Sequence, residues 1–297
     1  MLVQANNKVT IVGILSEINL EHDTYNNDER IRGNVVIQVN QTVNGKEITE
    51  QIPVYVYAAK HKKKSPSDLN PSYVNLETVM REYKSIALTG DVNTADKVRL
   101  DPASTSISMN EFYGRDGRLV SYPRIRGSFI NRVVGEFVPQ ANFALEGMVS
   151  SINRATDRDG VEVDPPRLNI KFIVPQYNGK VEFVPLIAVN PKAIEKLEDS
   201  WTKGGCYSCT GRLNFTTETV TTVKEQDFGE PIIESSTTSV SELFITGGTV
   251  EDSGKWEPAD VSEAVQAYKA DLERSKETST AKKAPAPAGS KPIDLGF

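Results

Sequence analysis

The 297 residues carry 34 Lys+Arg against 40 Asp+Glu, a formal charge of −6, with 38% hydrophobic and 25% charged side chains. A chain of this length makes two folded units, or one large unit with a tail, and its ordinary charge content excludes wholesale disorder. No apolar run approaches a membrane span, and the opening MLVQANNKVT lacks a basic, apolar leader, so a soluble cytoplasmic protein is expected.

Period-two patterning governs the first half. In KVTIVGILSEI, Val9, Ile11, Gly13 and Leu15 share one face, and in RIRGNVVIQVNQ the inward set is Val35, Ile37 and Val39. Asn44-Gly45 then gives the strongest hairpin signal of the chain. The returning strand, EQIPVYVYAAK, puts Val54 and Val56 on one side and Tyr55 and Tyr57 on the other. A polar stretch follows, then a short helix around Leu76–Tyr83, a fourth strand in SIALTGDVN, and a further strand near Ser106–Phe112.

The second half repeats this order. ANFALEGMVSSI places Phe143, Leu145, Gly147 and Val149 on one face, and RLNIKFIVPQY turns Leu168, Ile170, Phe172 and Val174 inward. Asn178-Gly179 makes a hairpin into KVEFVPLIAV, a helix is expected at Pro191–Ser200, and GGCYSCTGRLNF closes the set as the counterpart of YKSIALTGDVN. A repeat of about 110 residues is too long for a solenoid unit and fits a duplicated domain.

Three strands, a helix and two more strands is the order of the OB-fold, a five-stranded, partly open Greek-key barrel; a β-sandwich or another small barrel is the competing architecture. Glycines in the first strands (Gly13, Gly147) suit the sharp bend of such a barrel, and Gly90 and Gly211 are assigned to the fourth-strand turns. The expected fold is therefore mostly β: two tandem OB-fold barrels at 1–132 and 133–250, then a short helix and flexible tail over 251–297. In that last segment Val261, Val265, Tyr268 and Leu272 form one amphipathic stripe, TSTAKKAPAPAGSKP reads as a linker, and the chain ends on the apolar tip Pro292–Phe297.

Cys206 and Cys209 have CxxC spacing, but the only histidines, His22 and His61, do not complete a zinc site. A redox CxxC should open a helix, whereas these cysteines fall in a strand and read as half-buried packing residues. Asp157, Asp159 and Asp164 have the chemistry of a cation site, and a solvated hairpin loop accounts for them equally well. P-loop, dinucleotide, nucleophile-elbow and zincin motifs are missing. No enzyme activity, metal or cofactor is expected.

Chemistry concentrates between Phe112 and Arg132, where FYGRDGRLVSYPRIRGSFINR sets five arginines against one aspartate with four aromatics interleaved. Unpaired nucleic acid calls for that mixture, guanidiniums for phosphates and ring faces for bases. Arg115, Arg118, Tyr122, Arg124, Arg126 and Phe129 are the candidates there, against the plainer reading of a hairpin with solvated arginines. Tyr55 and Tyr57, facing away from the core, add a stacking platform, and Lys60, Lys62, Lys63 and Lys64 follow directly. The second half is less basic on its outward faces (Lys171, Lys180, Lys192, Lys203, Arg212), which suits weak strand binding or protein contacts.

These segments carry a resemblance. NKVTIVGILSEI, IPVYVYA and IALTGDVN resemble the opening, middle and fourth strands of bacterial and bacteriophage single-stranded DNA-binding proteins, whose Asn-x-Val start matches Asn7, Val9 and Gly13. The low-complexity lead into a C-terminal Phe is similar too. The resemblance implies a non-sequence-specific single-stranded DNA-binding protein of replication or recombination, with Asp294, Leu295 and Phe297 docking partner proteins. The tip departs from the family in having one acid and Gly296 at the usual proline position. Two barrels in one chain replace the family's single one, so its homotetramer does not carry over and homo-oligomerisation stays open. A phage or plasmid version is preferred, acting in the host cytoplasm if phage-encoded. The alternative is a virion-structural or adaptor protein, with the Thr/Ser-rich Phe215–Ser241 hairpin serving assembly and the Val261–Leu272 stripe docking on a partner helix.

Overall fold

Alternation of buried and exposed residues dictates three long strands at the start: β1 (Asn7–Tyr25), β2 (Asp28–Val43) and β3 (Lys46–Ala59). A computed structural model describes residues 2–26, 28–43, 45–114, 116–224 and 232–281 of the chain. Val9, Ile11, Leu15, Val35, Ile37, Val39, Val54 and Val56 are all fully buried, as their period-two spacing requires. A small separate sheet, β4 (His61–Lys62) and β5 (Ser65–Leu69), leads into α1 (Pro71–Glu82) and α2 (Ile86–Thr89). Then come β6 (Lys97–Leu100), β7 (Ser106–Tyr113), β8 (Leu119–Gly127) and β9 (Ile130–Arg132).

The second half consists of β10 (Gln140–Arg154), β11 (Leu168–Pro175), β12 (Val181–Ala188), α3 (Pro191–Ser200), β13 (Cys206–Lys224), β14 (Ile232–Gly248) and α4 (Pro258–Ala281). β10 pairs β11, β11 pairs β12, β12 meets β14 in parallel at Ile187 and Phe244, and β14 and β13 return antiparallel to β10. The result is a five-stranded barrel. β1, β2, β3 and β8 follow the same path, again with a parallel third-to-fifth pairing, while β6 joins β1 to β9. Antiparallel pairing of β1 with β10 fuses the halves into one twelve-stranded sheet.

The two halves share local devices. Gly13 and Gly147 sit where a Cβ would lie 2.4 Å from the Gln38 carbonyl and 2.6 Å from the Phe172 ring, so each admits a close approach of the second strand. Each is followed by a register shift, between Leu15 and Glu17 and between Val149 and Ser151, which bends the strand. Helices α1 and α3 both open on Asn-Pro: the Asn70 side chain accepts from the Ser72 N–H, and Asn190 from the Lys192 and Ala193 N–H groups. Both end on an aromatic that reaches across, the Tyr83 hydroxyl to the Ile130 carbonyl at 3.1 Å and the Trp201 indole N–H to the Thr249 carbonyl at 2.7 Å.

Several expectations are corrected. SIALTGDVN is not a strand: the Ser85 side chain accepts from the Leu88 N–H at 3.2 Å and Gly90, at φ 71°, caps the turn, so Ile86–Thr89 winds into α2. The counterpart of β13 is therefore β6, the strand that pairs β1. Gly211 lies within β13, pressed against Phe143 and the Phe244 carbonyl, and not at a turn. The cysteines are buried rather than half-buried: Cys206 lies against the Trp256 carbonyl, and burial pushes both thiols up. The Val261–Leu272 stripe covers its own chain, with Val261 buried and Tyr268 packed on Phe183 at 5.0 Å, so it is not an open face for a partner helix. Residues 282–297, with the Asp294, Leu295 and Phe297 tip, lie outside the described residues.

Asn7 is a structural link. Its amide donates to the Ile107 carbonyl at 2.8 Å and accepts from the Ile107 N–H at 2.9 Å, standing in for a strand where β7 leaves β1. Asn7→Ala leaves both backbone groups unpaired and is expected to cost about 1–3 kcal/mol in a urea melt. Asn7→Asp, which keeps only the acceptor, should lose less.

Candidate nucleic-acid interface

The set of side chains that alternates with the core forms the outer face of the first half. Register places Arg32 opposite Tyr57 and Asn34 opposite Tyr55 on β2 and β3, and Tyr55 beside Arg126 across the parallel β3–β8 pairing. On the β7–β8 hairpin, Ser106 faces Arg126, Ser108 faces Arg124, Asn110 faces Tyr122 and Phe112 faces Val120, all on that same side. Tyr57, Tyr55, Arg126, Arg124, Tyr122 and Phe112 thus form one continuous band. The Arg124 guanidinium lies 4.4 Å from the Tyr55 ring centre, and Arg30 lies between Tyr25 and Tyr57 at 4.8 and 5.8 Å. Tyr57, Tyr122 and Phe112 remain 43%, 41% and 47% exposed.

The charges on this face differ in availability. Arg30 holds Asp23 through Nε and Nη2 at 2.9 and 2.5 Å, and that bond keeps the Asp23 carboxyl below its usual range. Arg32 joins the same carboxylate at 3.0 Å. Arg124 and Arg126 form no ion pair among the described residues, and Arg124 Nε is buried without a hydrogen-bond partner. These two guanidiniums are the ones free to meet a phosphate.

The lysine cluster lies on the β4–β5 sheet, past the Tyr57 end of β3. Lys60 is taken by Glu29 and Lys62 faces Asp68 at 3.9 Å, while Lys63 and Lys64 are exposed and unpaired among the described residues. Arg118 is at the hairpin tip, exposed and 3.6 Å from Asp116; Arg115 lies outside the described residues. Phe129 falls in the break between β8 and β9, beyond the band. Arg132 also lies apart, stacked on Tyr83 at 4.2 Å and bound to Asp96 at 3.1 Å, so it pins the fold.

The second half repeats the arrangement with different side chains. The first-half row Asn34–Tyr55–Arg126 has its counterpart in Asn169–Ile187–Phe244. The Phe244 ring is approached by the guanidiniums of Arg212 at 4.7 Å and Arg167 at 5.8 Å, beside a groove of about 530 Å3 that Ile187, Val189 and Asn169 line. Arg167 is tied to Glu242 at 2.6 Å. Arg212 is not an outward solvated cation: it reaches toward fully buried Glu50 of β3, 3.5 Å away. Burial pushes the Glu50 carboxyl up to about 7 against the pull of Arg212 and a bond from Gln41 at 2.7 Å.

Sequence reading missed Arg30, Arg32, Arg167 and Phe244. Part of the signal was there: Arg30, Arg32 and Phe244 have the parity opposite to their strands' core sets, and Arg32 lies opposite Tyr57, whereas Arg167 falls just before β11. The Asp157 carboxylate, read as a possible cation ligand, instead accepts from the Asp159 and Val161 N–H groups at 2.9 Å and shapes its own loop. No cluster of metal-ligating side chains occurs among the described residues, and none of their helices is long and apolar enough to cross a membrane.

A family model, YorF, matches residues 5–278. None of the curated proteins matches the chain. Among solved structures, the wild-type single-stranded DNA binding protein from Thermus aquaticus is similar at a TM-score of 0.54 and 10% identity, over 86% of this chain and 97% of that one. A deletion mutant of the same protein is similar at 0.51 and 12%, over 86% and 98%. At such identities the likeness is one of fold.

Proposed function

The chain belongs to the YorF family, and on its fold and the band just described we propose that it is a single-stranded DNA-binding protein. It reads as a pair of tandem OB barrels acting without catalysis in replication or recombination, in the cytoplasm. The observation that carries this is the Tyr55–Arg124 stack, set in one row with unpaired Arg126 and exposed Tyr57, Tyr122 and Phe112. Bases of any kind have a face to lay on a ring, and phosphates follow cations, so the row binds an unpaired strand without reading its sequence. A net charge of −6 does not oppose this, because local charge sets the field a ligand meets. By the resemblance of its tip, Asp294, Leu295 and Phe297 recruit replication and recombination proteins.

A mobility shift on oligo-dT of several tens of nucleotides tests the reading; no shift at low salt and micromolar protein rejects it. Arg124→Ala with Arg126→Ala should lower affinity and reduce the salt slope by about 0.7 per arginine. An unchanged slope clears both arginines of phosphate contact.

A further inference from the structure

Resting on the single-stranded DNA reading, we infer that Glu182 of the second half is a built-in rival of phosphate for Arg126 and Arg124, so that strand binding is linked to protonation of this one carboxyl. β7 is the last strand of its sheet, and the Met109 N–H on its open edge has no strand to receive it. Glu182, reaching across from β12, accepts that N–H at 3.2 Å. The same carboxylate lines a cavity of about 540 Å3 between β7, the β11–β12 turn and α4, and Arg126 lines it from the other side. Arg126 therefore belongs both to the outer band and to the surroundings of Glu182.

The charged groups around this carboxyl each have a place, and exposed Tyr177 also lines the cavity. Glu111 on β7 receives the Tyr268 hydroxyl of α4 through both oxygens at 2.7 and 2.8 Å. Lys180, after the turn, is paired with Asp271 of α4 at 3.1 Å. Arg124 and Arg126 on β8 are left as the opposing cations, and neither comes within ion-pair distance of Glu182. Burial outweighs their pull and pushes the carboxyl up to about 7, with Glu111 adding in the same direction.

Phosphates that engage the two guanidiniums remove the attraction that favours the ionised carboxylate and add negative charge nearby. Glu182 then takes up a proton, and by reciprocity a protonated Glu182 favours the bound strand. The sign follows: affinity is highest below pH 7 and falls as pH rises past it, by at most about tenfold per unit because one proton is linked.

The test is an anisotropy titration of labelled oligo-dT at pH 6, 7 and 8.5 and constant salt, on the wild-type chain and Glu182→Gln. Calorimetry of the same binding in two buffers of different protonation enthalpy counts the protons. The expected result is wild-type binding several-fold weaker at pH 8.5 than at pH 6 with net proton uptake, and Glu182→Gln binding at the acid-side strength throughout with none. A pH dependence that persists in Glu182→Gln, or wild-type binding with no proton uptake, overturns the inference while leaving strand binding intact. No binding by wild type at any pH overturns the parent reading, and this one with it. Should Glu182→Gln not fold, Arg124→Ala with Arg126→Ala decides: its residual binding must lose the proton uptake.

Discussion

A chain carrying Tyr55→Ala with Tyr57→Ala is expected to bind oligo-dT roughly a hundredfold or more weakly, at about 1–3 kcal/mol per stacked base. The two rings are adjacent outward residues of β3, flanked by Asn34 and Arg32 on β2 and by Arg126 on β8. Tyr55 acts twice, as a base platform and as the surface on which the Arg124 guanidinium rests at 4.4 Å. Its loss frees Arg124 to wander, so Tyr55→Ala should exceed Tyr57→Ala, and Tyr55→Phe should retain most of the affinity. The fold is indifferent to these changes, because the inward neighbours Val54 and Val56 supply the packing. An anisotropy titration with circular dichroism as a folding control checks both points.

The largest effect on stability is expected at Glu50. Its carboxylate is buried between the halves with Gln41, the Phe215 N–H and Arg212 around it, and Arg212 reaches back to cover Phe244. Glu50→Ala leaves a half-buried guanidinium without its counter-ion and should cost about 3–5 kcal/mol at pH 8, read from the urea midpoint. Glu50→Leu together with Arg212→Met should recover much of that loss, since replacing a whole buried pair by apolar volume is often neutral. The pH dependence has a definite sign. Glu50 titrates at about 7 in the folded chain and near 4.5 in the unfolded one, so the folded state holds the extra proton between those values. Stability therefore rises as pH falls from 8 toward 5, by at most roughly 3 kcal/mol, and Glu182 acts in the same direction. Below about 4 the trend reverses, because Asp23, which Arg30 keeps ionised in the folded chain, is then protonated and the pair is lost. Glu50→Gln should remove Glu50's share of the slope between pH 5 and 8 and leave that of Glu182.

Most strands were legible because one face of each is buried. Val9, Ile11 and Leu15, or Leu168, Ile170, Phe172 and Val174, recur at even spacing on the buried face and leave one register open. Helix α3 was legible to the residue, since Asn190-Pro191 starts it and Trp201 stops it. Ile86–Thr89 was misread because a short, mostly apolar run fits strand and helix alike, and only the Ser85 and Gly90 caps decide. That error moved the fourth strand off β6, whose four residues are too few to announce themselves.

The candidate site was half legible. Tyr55, Tyr57, Tyr122, Arg124 and Arg126 could be picked out by composition and parity, and the structure joins them through the parallel β3–β8 pairing. That pairing links strands far apart in the chain, so no local pattern reveals it. Local composition equally overstated Lys60, whose carboxylate partner Glu29 comes from another element. Arg212 looked exposed by its position on β13, but β3 of the other half closes over it through Glu50.

Photochemical mapping of the bound strand tests the central claim most directly. Oligo-dT with 5-iodouracil at scattered positions, irradiated in complex with the full chain and digested for mass spectrometry, reports which rings a base touches. Adducts should fall on Tyr55, Tyr57 and Tyr122, and be suppressed by salt in step with binding. Adducts confined to other residues, with these three tyrosines unmodified at saturation, would contradict it.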